Sequence, residues 1–270
     1  MYKNIYIDLD GTLLNDQGQV SEDNKYMLKK ALDMGSKVYF VSGRPYCFVK
    51  DLAMKCNREI GVVAANGGVI ETDDRIITKL INDEALKKVI DVLSEYKGVH
   101  AFFKGMKNFY TTDPYDVRFL YSHYNDQYDS SIQVTSFTDM SYLELKESAS
   151  EIIKVLVYTM DKTELKALRE RLEKIEGLAL TSYNEISFDI NATGVSKGSA
   201  LKELHQLHNI HKKETMAIGD AENDISMFEE SGLCVAMENA TAAIKKRCDV
   251  HTLSNNDSGV AHAIWKYNKR

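Results

Sequence analysis

The chain has 270 residues, room for one or two domains at roughly 150 residues each. Its 34 basic and 40 acidic side chains leave a formal charge of −6, and it carries only 2 prolines and 15 glycines. That balance excludes nucleic-acid binding by clustered Lys and Arg, Pro-rich disorder and collagen-like repeats. No apolar run approaches the ~18 residues of a membrane span. A carboxylate at Asp8 falls where a secretion signal is purely apolar, so none is expected. Cys47, Cys56, Cys234 and Cys248 form no Cys-x-x-Cys pair and fall in apolar or helical contexts, where free cysteine is a small core residue. Together these features lead us to expect a soluble, cytoplasmic protein that contacts neither membrane nor nucleic acid.

In chain order, residues 4–9 form a short β-rich run ending in carboxylates. Ser21 can cap a helix over 22–34, with Met27, Leu28, Ala31 and Leu32 on one face and Gly35 as its stop. Strands are predicted at 37–41 and 60–65, with a helix entered through Pro45 between them. This βαβαβ rhythm argues for an α/β class with a parallel sheet covered on both faces. The middle reads differently: a helix at 83–96, a strand at 99–103, an aromatic and polar stretch at 109–128, a strand at 151–159, a helix capped by Asp161, and strands at 178–182 and 185–190. It reads as an α+β domain inserted at 83–190 into a domain made of 1–82 and 191–270. The last third returns to the first rhythm. It has helices at 196–209, from 223, at 241–247 and at 258–268, with strands at 215–218, 233–237 and 249–252.

Four clusters carry chemistry. In Asp8-Leu9-Asp10-Gly11, residues two apart on a strand face one side, so both carboxylates are expected to leave the strand together. That end of an α/β sheet is where ligands bind, although an acidic strand end could equally cap the next turn. Ser42-Gly43-Arg44-Pro45 places a hydroxyl and a bare amide before a helix start, which suits a phosphate or an ordinary N-cap. Lys197 falls in the first turn of a helix, where the dipole mildly disfavours a cation unless an anion lies beside it. The Gly-x-x-x-x-Gly-Lys-Ser/Thr spacing of a phosphate loop is absent here. Gly219-Asp220-Ala221-Glu222-Asn223-Asp224 delivers acids at another strand end. Hard oxygen ligands of this kind suit Mg²⁺, or the loop merely caps the next helix.

The order of the four, from residue 8 to residue 224, resembles the signature of the haloacid dehalogenase-like (HAD) phosphohydrolase superfamily. The stretch from Gly219 to Asp224 is similar to that family's Gly-Asp-x-x-Asn-Asp loop. The insertion after Ala65-Asn66-Gly67-Gly68 resembles the C2 cap, and its α+β content resembles the type IIB (Cof-type) branch, similar to bacterial sugar-phosphate phosphatases. Asn256-Asp257-Ser258-Gly259-Val260-Ala261 resembles that branch's Asn-x-Asp-Gly-Val-Ala with one inserted serine.

The resemblance implies a Rossmann-like core with a C2B-type cap. It also implies Mg²⁺-dependent hydrolysis of small phosphorylated metabolites, sugar phosphates first, through an aspartyl-phosphate. Asp8 matches the nucleophile and Asp10 the acid/base. Asp8, the Asp10 carbonyl and Asp220 would bind Mg²⁺, with Asp224 orienting the metal's waters. Ser42, the Gly43 amide and Lys197 would hold the phosphoryl oxygens, and Asn223 would position the phosphate or Lys197. Arg44 could meet a second substrate charge or serve as an ion-pair partner, and Thr12 and Asn66 border the site. A phosphomutase of the same superfamily and a non-catalytic phospho-ligand binder are the competing readings. His205, His208 and His211 recur every three residues and read as a solvated helix end. Tyr121, His123, Tyr124 and Tyr128 either pack or line a substrate pocket. Lys245-Lys246-Arg247 ends a helix, where cations are expected.

Overall fold

The computed structural model describes residues 1–114, 121–182 and 185–269. Residues 115–120 of the aromatic stretch lie outside the described residues. The chain divides into two compact units. The first takes Met1–Arg44, Leu52–Ile76 and Ser196–Arg270, and the second takes Pro45–Asp51 and Ile77–Val195.

The chain opens with strand β1 (Asn4–Ile7), whose side chains are all buried. Helix α1 (Glu22–Asp33) is capped by Ser21, which accepts a hydrogen bond from the Asn24 amide, and carries Glu22 and Asp23 in its first turn. Strand β2 (Lys37–Val41), helix α2 (Tyr46–Cys56) and strand β3 (Gly61–Ala64) follow. Strands β4 (Val69–Glu71) and β5 (Ile76–Thr78) then extend the sheet.

The second unit supplies helix α3 (Asp83–Ser94), strands β6 (His100–Lys104), β7 (Asn108–Thr111) and β8 (Thr135–Phe137), and helix α4 (Tyr142–Ser148). It continues with strand β9 (Lys154–Tyr158), helix α5 (Lys162–Leu172) and strands β10 (Leu178–Ser182) and β11 (Ser187–Ala192). The first unit resumes with helix α6 (Lys197–His208), strand β12 (Thr215–Gly219), helix α7 (Ile225–Glu229), strand β13 (Leu233–Ala236), helix α8 (Ala242–Lys245), strand β14 (Val250–His251) and helix α9 (Gly259–Tyr267).

Among the described residues the first sheet runs β14-β13-β12-β1-β2-β3-β4-β5. From β14 to β3 every pairing is parallel, and β4 turns back antiparallel on β3. The runs Ile-Tyr-Ile, Val-Tyr-Phe-Val and Met-Ala-Ile are near-continuously apolar because a parallel sheet is buried on both faces. The α/β class expected from the rhythm is the one observed.

In the second unit the order is β10-β11-β9-β6-β7-β8, antiparallel except for the β7–β8 pair. Helix α3 follows its Asn82 cap and buries Ala85, Leu86, Val89, Ile90 and Leu93. Helix α5 follows its Asp161 cap and buries Leu165, Leu168 and Leu172 against the same apolar core. The strand expected at 151–159 is shorter, since Glu151 takes a left-handed φ of 54° and breaks extended pairing. Strands β7 and β8 and helix α4 have too short or too mixed a pattern to be read in advance. No helix among the described residues is long and apolar enough to cross a membrane. All four cysteines are free.

Candidate active site

Three neighbouring parallel strands converge on one edge. Ile7 lies in register with Ile218 of β12 and with Phe40 of β2. One residue on, Asp8 leaves β1 beside the strand ends that lead to Asp220 and Ser42, and its amide donates to the Ile218 carbonyl at 3.0 Å. Helix α6 brings the fourth element. Ser196 and Ser199 form a reciprocal cap at its start, which fixes Lys197 as the first helical residue.

Lys197 is buried and bridges two carboxylates. Its Nζ donates to Asp8 Oδ1 at 2.5 Å and to Asp224 Oδ1 at 2.6 Å. Asp224 Oδ2 accepts the Asp220 and Ala221 amides, both at 3.0 Å, which pins the acidic loop. Thr12 Oγ1 donates to Asp220 Oδ1 at 2.9 Å. Ligand oxygens of Asp8, Asp220 and Asp224 lie within 4.8 Å of one another.

The close approach depends on glycines. Gly11 has a φ of +77°, and a Cβ there would sit 2.4 Å from Asp220 Oδ2. At Gly219 a Cβ would sit 2.5 Å from Asp224 Oδ2.

In this cluster three carboxylates share one ammonium. Burial pushes the Asp8 carboxyl well above the usual carboxylate range. Lys197 opposes that rise, while Asp224, Asp220 and Asp10 add to it. Burial pulls the Lys197 ammonium down, but Asp224 and Asp8 more than reverse this, so it is held charged. Burial, then Asp224, raises the Asp220 carboxyl to about 6.

Asp10 departs from the expected placement. Strand β1 ends at Ile7, so its alternation does not extend to residue 10. The Asp8 side chain is 6% exposed and the Asp10 side chain 55%. Asp10 instead faces Arg44, whose Nη2 donates to Oδ1 at 2.6 Å and whose Nε donates to Oδ2 at 2.9 Å. Arg44 is thus an ion-pair partner here.

Ser42 is buried and its Oγ accepts the Arg44 amide at 3.1 Å. It is not the N-cap of α2, which begins four residues later at Tyr46. Gly43 lies against Asn66, whose Oδ1 would be 2.8 Å from a Cβ at position 43. The Asn223 Oδ1 is buried in the acidic loop with no hydrogen-bond partner.

The haloacid dehalogenase-like hydrolase family profile matches residues 5–264. The chain belongs to the haloacid dehalogenase-like hydrolases. It is 33% identical over 281 aligned positions to a 5-amino-6-(5-phospho-D-ribitylamino)uracil phosphatase of Bacillus subtilis, covering 97% of this chain and 96% of that one. A solved haloacid dehalogenase-like hydrolase from B. subtilis superposes with a TM-score of 0.83 at 32% identity, covering 98% of this chain and 99% of that one. A HAD subclass IIB sugar phosphatase shares the fold, with a TM-score of 0.80 at 22% identity over 98% of this chain and 99% of that one. The protein is a phosphatase of this family.

The donor set of the phosphatase fits a hard divalent cation. Oxygen ligands predominate, the buried carboxylates outnumber the ammonium, and no histidine or cysteine belongs to the described cluster. The surplus charge makes a stability prediction. A carboxyl raised to about 6 in the folded state, against 3.8 ordinarily, destabilises the fold above the higher value and has no effect below the lower one. In metal-free protein, Asp220→Asn should therefore be more stable than wild type near neutral pH, by about 1–3 kcal/mol. Thermal melts should show that gap closing as the pH falls from about 6 towards 4. A gap that widens on acidification would show that the Asp220 carboxyl is not raised by burial and by Asp224.

Other candidates resolve differently. His205 Nε2 lies 3.0 Å from the buried Tyr6 hydroxyl, so this member of the histidine series packs half-buried against Tyr6 instead of standing in solvent at the helix end. Tyr121 packs edge-on against Phe48 at 5.6 Å, and Tyr128 is buried. Sequence reasoning missed Asn239 and Asn255. Asn239 Nδ2 donates to the Gly11 carbonyl at 2.8 Å, and its Oδ1 accepts the Asn255 amide at 3.1 Å. Asn255 Nδ2 donates to the Leu14 carbonyl at 3.0 Å. The pair clips the loop after Asp8. Single asparagines in loops carry no spacing that could have flagged them.

Proposed function

We propose that the phosphatase hydrolyses small phosphorylated metabolites, sugar or polyol phosphates foremost, through an aspartyl-phosphate on Asp8. The observation that carries this reading is Lys197, buried in contact with both Asp8 and Asp224 at the meeting of the strand ends. An Asp8 oxygen attacks phosphorus and the ester P–O bond breaks, with Asp10 giving its proton to the departing alkoxide. Water then attacks the acyl-phosphate phosphorus, Asp10 takes a proton back, and inorganic phosphate leaves.

For this role Asp10 must exchange Arg44 for the substrate. Ser42, the Gly43 amide and Lys197 hold the phosphoryl oxygens, and Asn223 either donates its Nδ2 to them or accepts from Lys197 at its unpartnered Oδ1. Asp8, the Asp10 carbonyl and Asp220 would hold Mg²⁺, with Asp224 behind them. When bound, it supplies the positive charge a carboxylate needs to approach a phosphate dianion. We assign the phosphoryl chemistry to residues outside 83–190 and substrate choice to that insertion. The relative's printed activity makes phosphorylated ribityl compounds the first to screen.

Chelation should stop phosphate release, and Mg²⁺ should restore it better than Ca²⁺, whose larger shell and looser geometry misplace the nucleophile. Asp220→Ala should raise the Mg²⁺ requirement or abolish turnover. Full activity in excess chelator, with metal absent by elemental analysis, would overturn the assignment. Turnover without any bisphosphate activator separates hydrolysis from mutase chemistry.

A further inference from the structure

We infer that three asparagine side chains, Asn24, Asn239 and Asn255, form a cradle that holds the loop after Asp8 against Asp220, and that Asn239 and Asn255 are positioning residues for the metal-dependent step. This deepens the function proposed above and rests on its Mg²⁺ assignment.

The backbone carbonyls of the loop are taken up one by one. Gly11 accepts from Asn239 Nδ2 at 2.8 Å, Leu14 from Asn255 Nδ2 at 3.0 Å and Leu13, more loosely, from Asn24 Nδ2 at 3.4 Å. The other end of two of these carboxamides faces the C-terminal segment. Asn239 Oδ1 accepts the Asn255 amide at 3.1 Å, and Asn24 Oδ1 accepts the Ala261 amide at 2.8 Å. Asn256 secures the far end of the loop: its Oδ1 accepts the Asp16 amide at 3.1 Å and its Nδ2 donates to Asp16 Oδ2 at 2.9 Å. All of these residues belong to the first unit. The stretch from Asn256 to Ala261, which holds none of the proposed catalytic groups, thus serves the loop that follows the nucleophile.

The arrangement demands carboxamides. The Asn24 and Asn239 bridges each need an N–H aimed at a carbonyl and an oxygen aimed at an amide, and asparagine carries both on one short stem. Aspartate of the same shape keeps the acceptor and loses the donor. Asn24 and Asn255 are buried, where a carbonyl deprived of its partner is costlier than one in water.

The cradle fixes the peptide units around Gly11. A side chain at Gly11 has no room against Asp220 Oδ2, and the next residue, Thr12, donates from Oγ1 to Asp220 Oδ1 at 2.9 Å. A shift of the Gly11 carbonyl therefore displaces both Thr12 and the Asp10 carbonyl, and with them two of the three groups assigned to Mg²⁺. Asn239 acts on the metal only through this loop, as partners behind a ligand shell do.

The test measures Mg²⁺ affinity in wild type, Asn239→Asp and Asn255→Leu by two routes. One is the Mg²⁺ concentration for half-maximal hydrolysis of p-nitrophenyl phosphate, and the other is calorimetric titration with Mg²⁺ in the absence of any ester. A carboxylate added at position 239 would by charge alone tighten a divalent cation, so weaker binding in that variant reports lost positioning. Each variant should need about ten-fold more Mg²⁺ or beyond by both routes, with little change in KM for the ester at saturating metal. Asn239→Asp, at an exposed position, carries the test if Asn255→Leu fails to fold. Unchanged Mg²⁺ affinity in a folded variant, with only the melting temperature lowered, would overturn the inference and leave the asparagines structural. A wild type that neither binds Mg²⁺ nor needs it would instead remove the metal assignment, and this inference with it.

Discussion

Asp8→Asn should abolish turnover while leaving the fold intact. The substitution keeps the side-chain shape and the possibility of a contact with Lys197, and it removes the charge that attacks phosphorus. It also removes one of three crowded carboxylates, so the metal-free protein should lose little or no stability. Steady-state phosphate release measured with circular dichroism checks both halves. A variant that keeps more than about a few per cent of wild-type kcat would move the nucleophile elsewhere, since losing a covalent catalyst costs orders of magnitude.

Lys197→Met should harm both catalysis and folding. Its ammonium touches Asp8 and Asp224, all three being buried. Removing it leaves two carboxylates facing each other without their cation, a loss of about 3–5 kcal/mol by analogy with broken buried ion pairs. Every substrate presents the same phosphoryl group, so kcat/KM should fall by a similar factor across a panel of phosphoesters. Added Mg²⁺ should raise the melting temperature of the variant, because a divalent ion meets the same charge deficit. Loss confined to a few substrates would place Lys197 in recognition of the leaving group.

Much of the architecture was legible because parallel strands announce themselves. Runs such as Val38 to Val41 and Met216 to Ile218 are apolar throughout, and a carboxylate or hydroxyl follows where each strand stops. The convergence of Asp8, Lys197, Asp220 and Asp224 could be read from the order of four short motifs. The fate of Asp10 could not. It turns on where β1 ends and on a bidentate partner 34 residues away. The clip made by Asn239 and Asn255 is likewise tertiary. Lys154 and Asp189 are lone charges in apolar strands, with no spacing that singles them out in the sequence. Only the second layer of the unit shows that α3 and α5 cover the alternate face, which leaves these charges on the opposite, buried one.

The central position of β1 has a consequence for how the chain assembles. Strand β1 pairs with β2 on one side and with β12, more than 200 residues later, on the other. The Lys197–Asp8 contact itself spans 189 positions. During synthesis the N-terminal segment therefore emerges with one flank of its strand unpaired and its nucleophile without a cation. Meanwhile the segment Ile77–Val195 can condense around its own apolar core. Loop closure over such distances is slow, and edges left open invite wrong partners. The catalytic cluster is then among the last parts of the molecule to form, and its activity is a direct readout of completed folding.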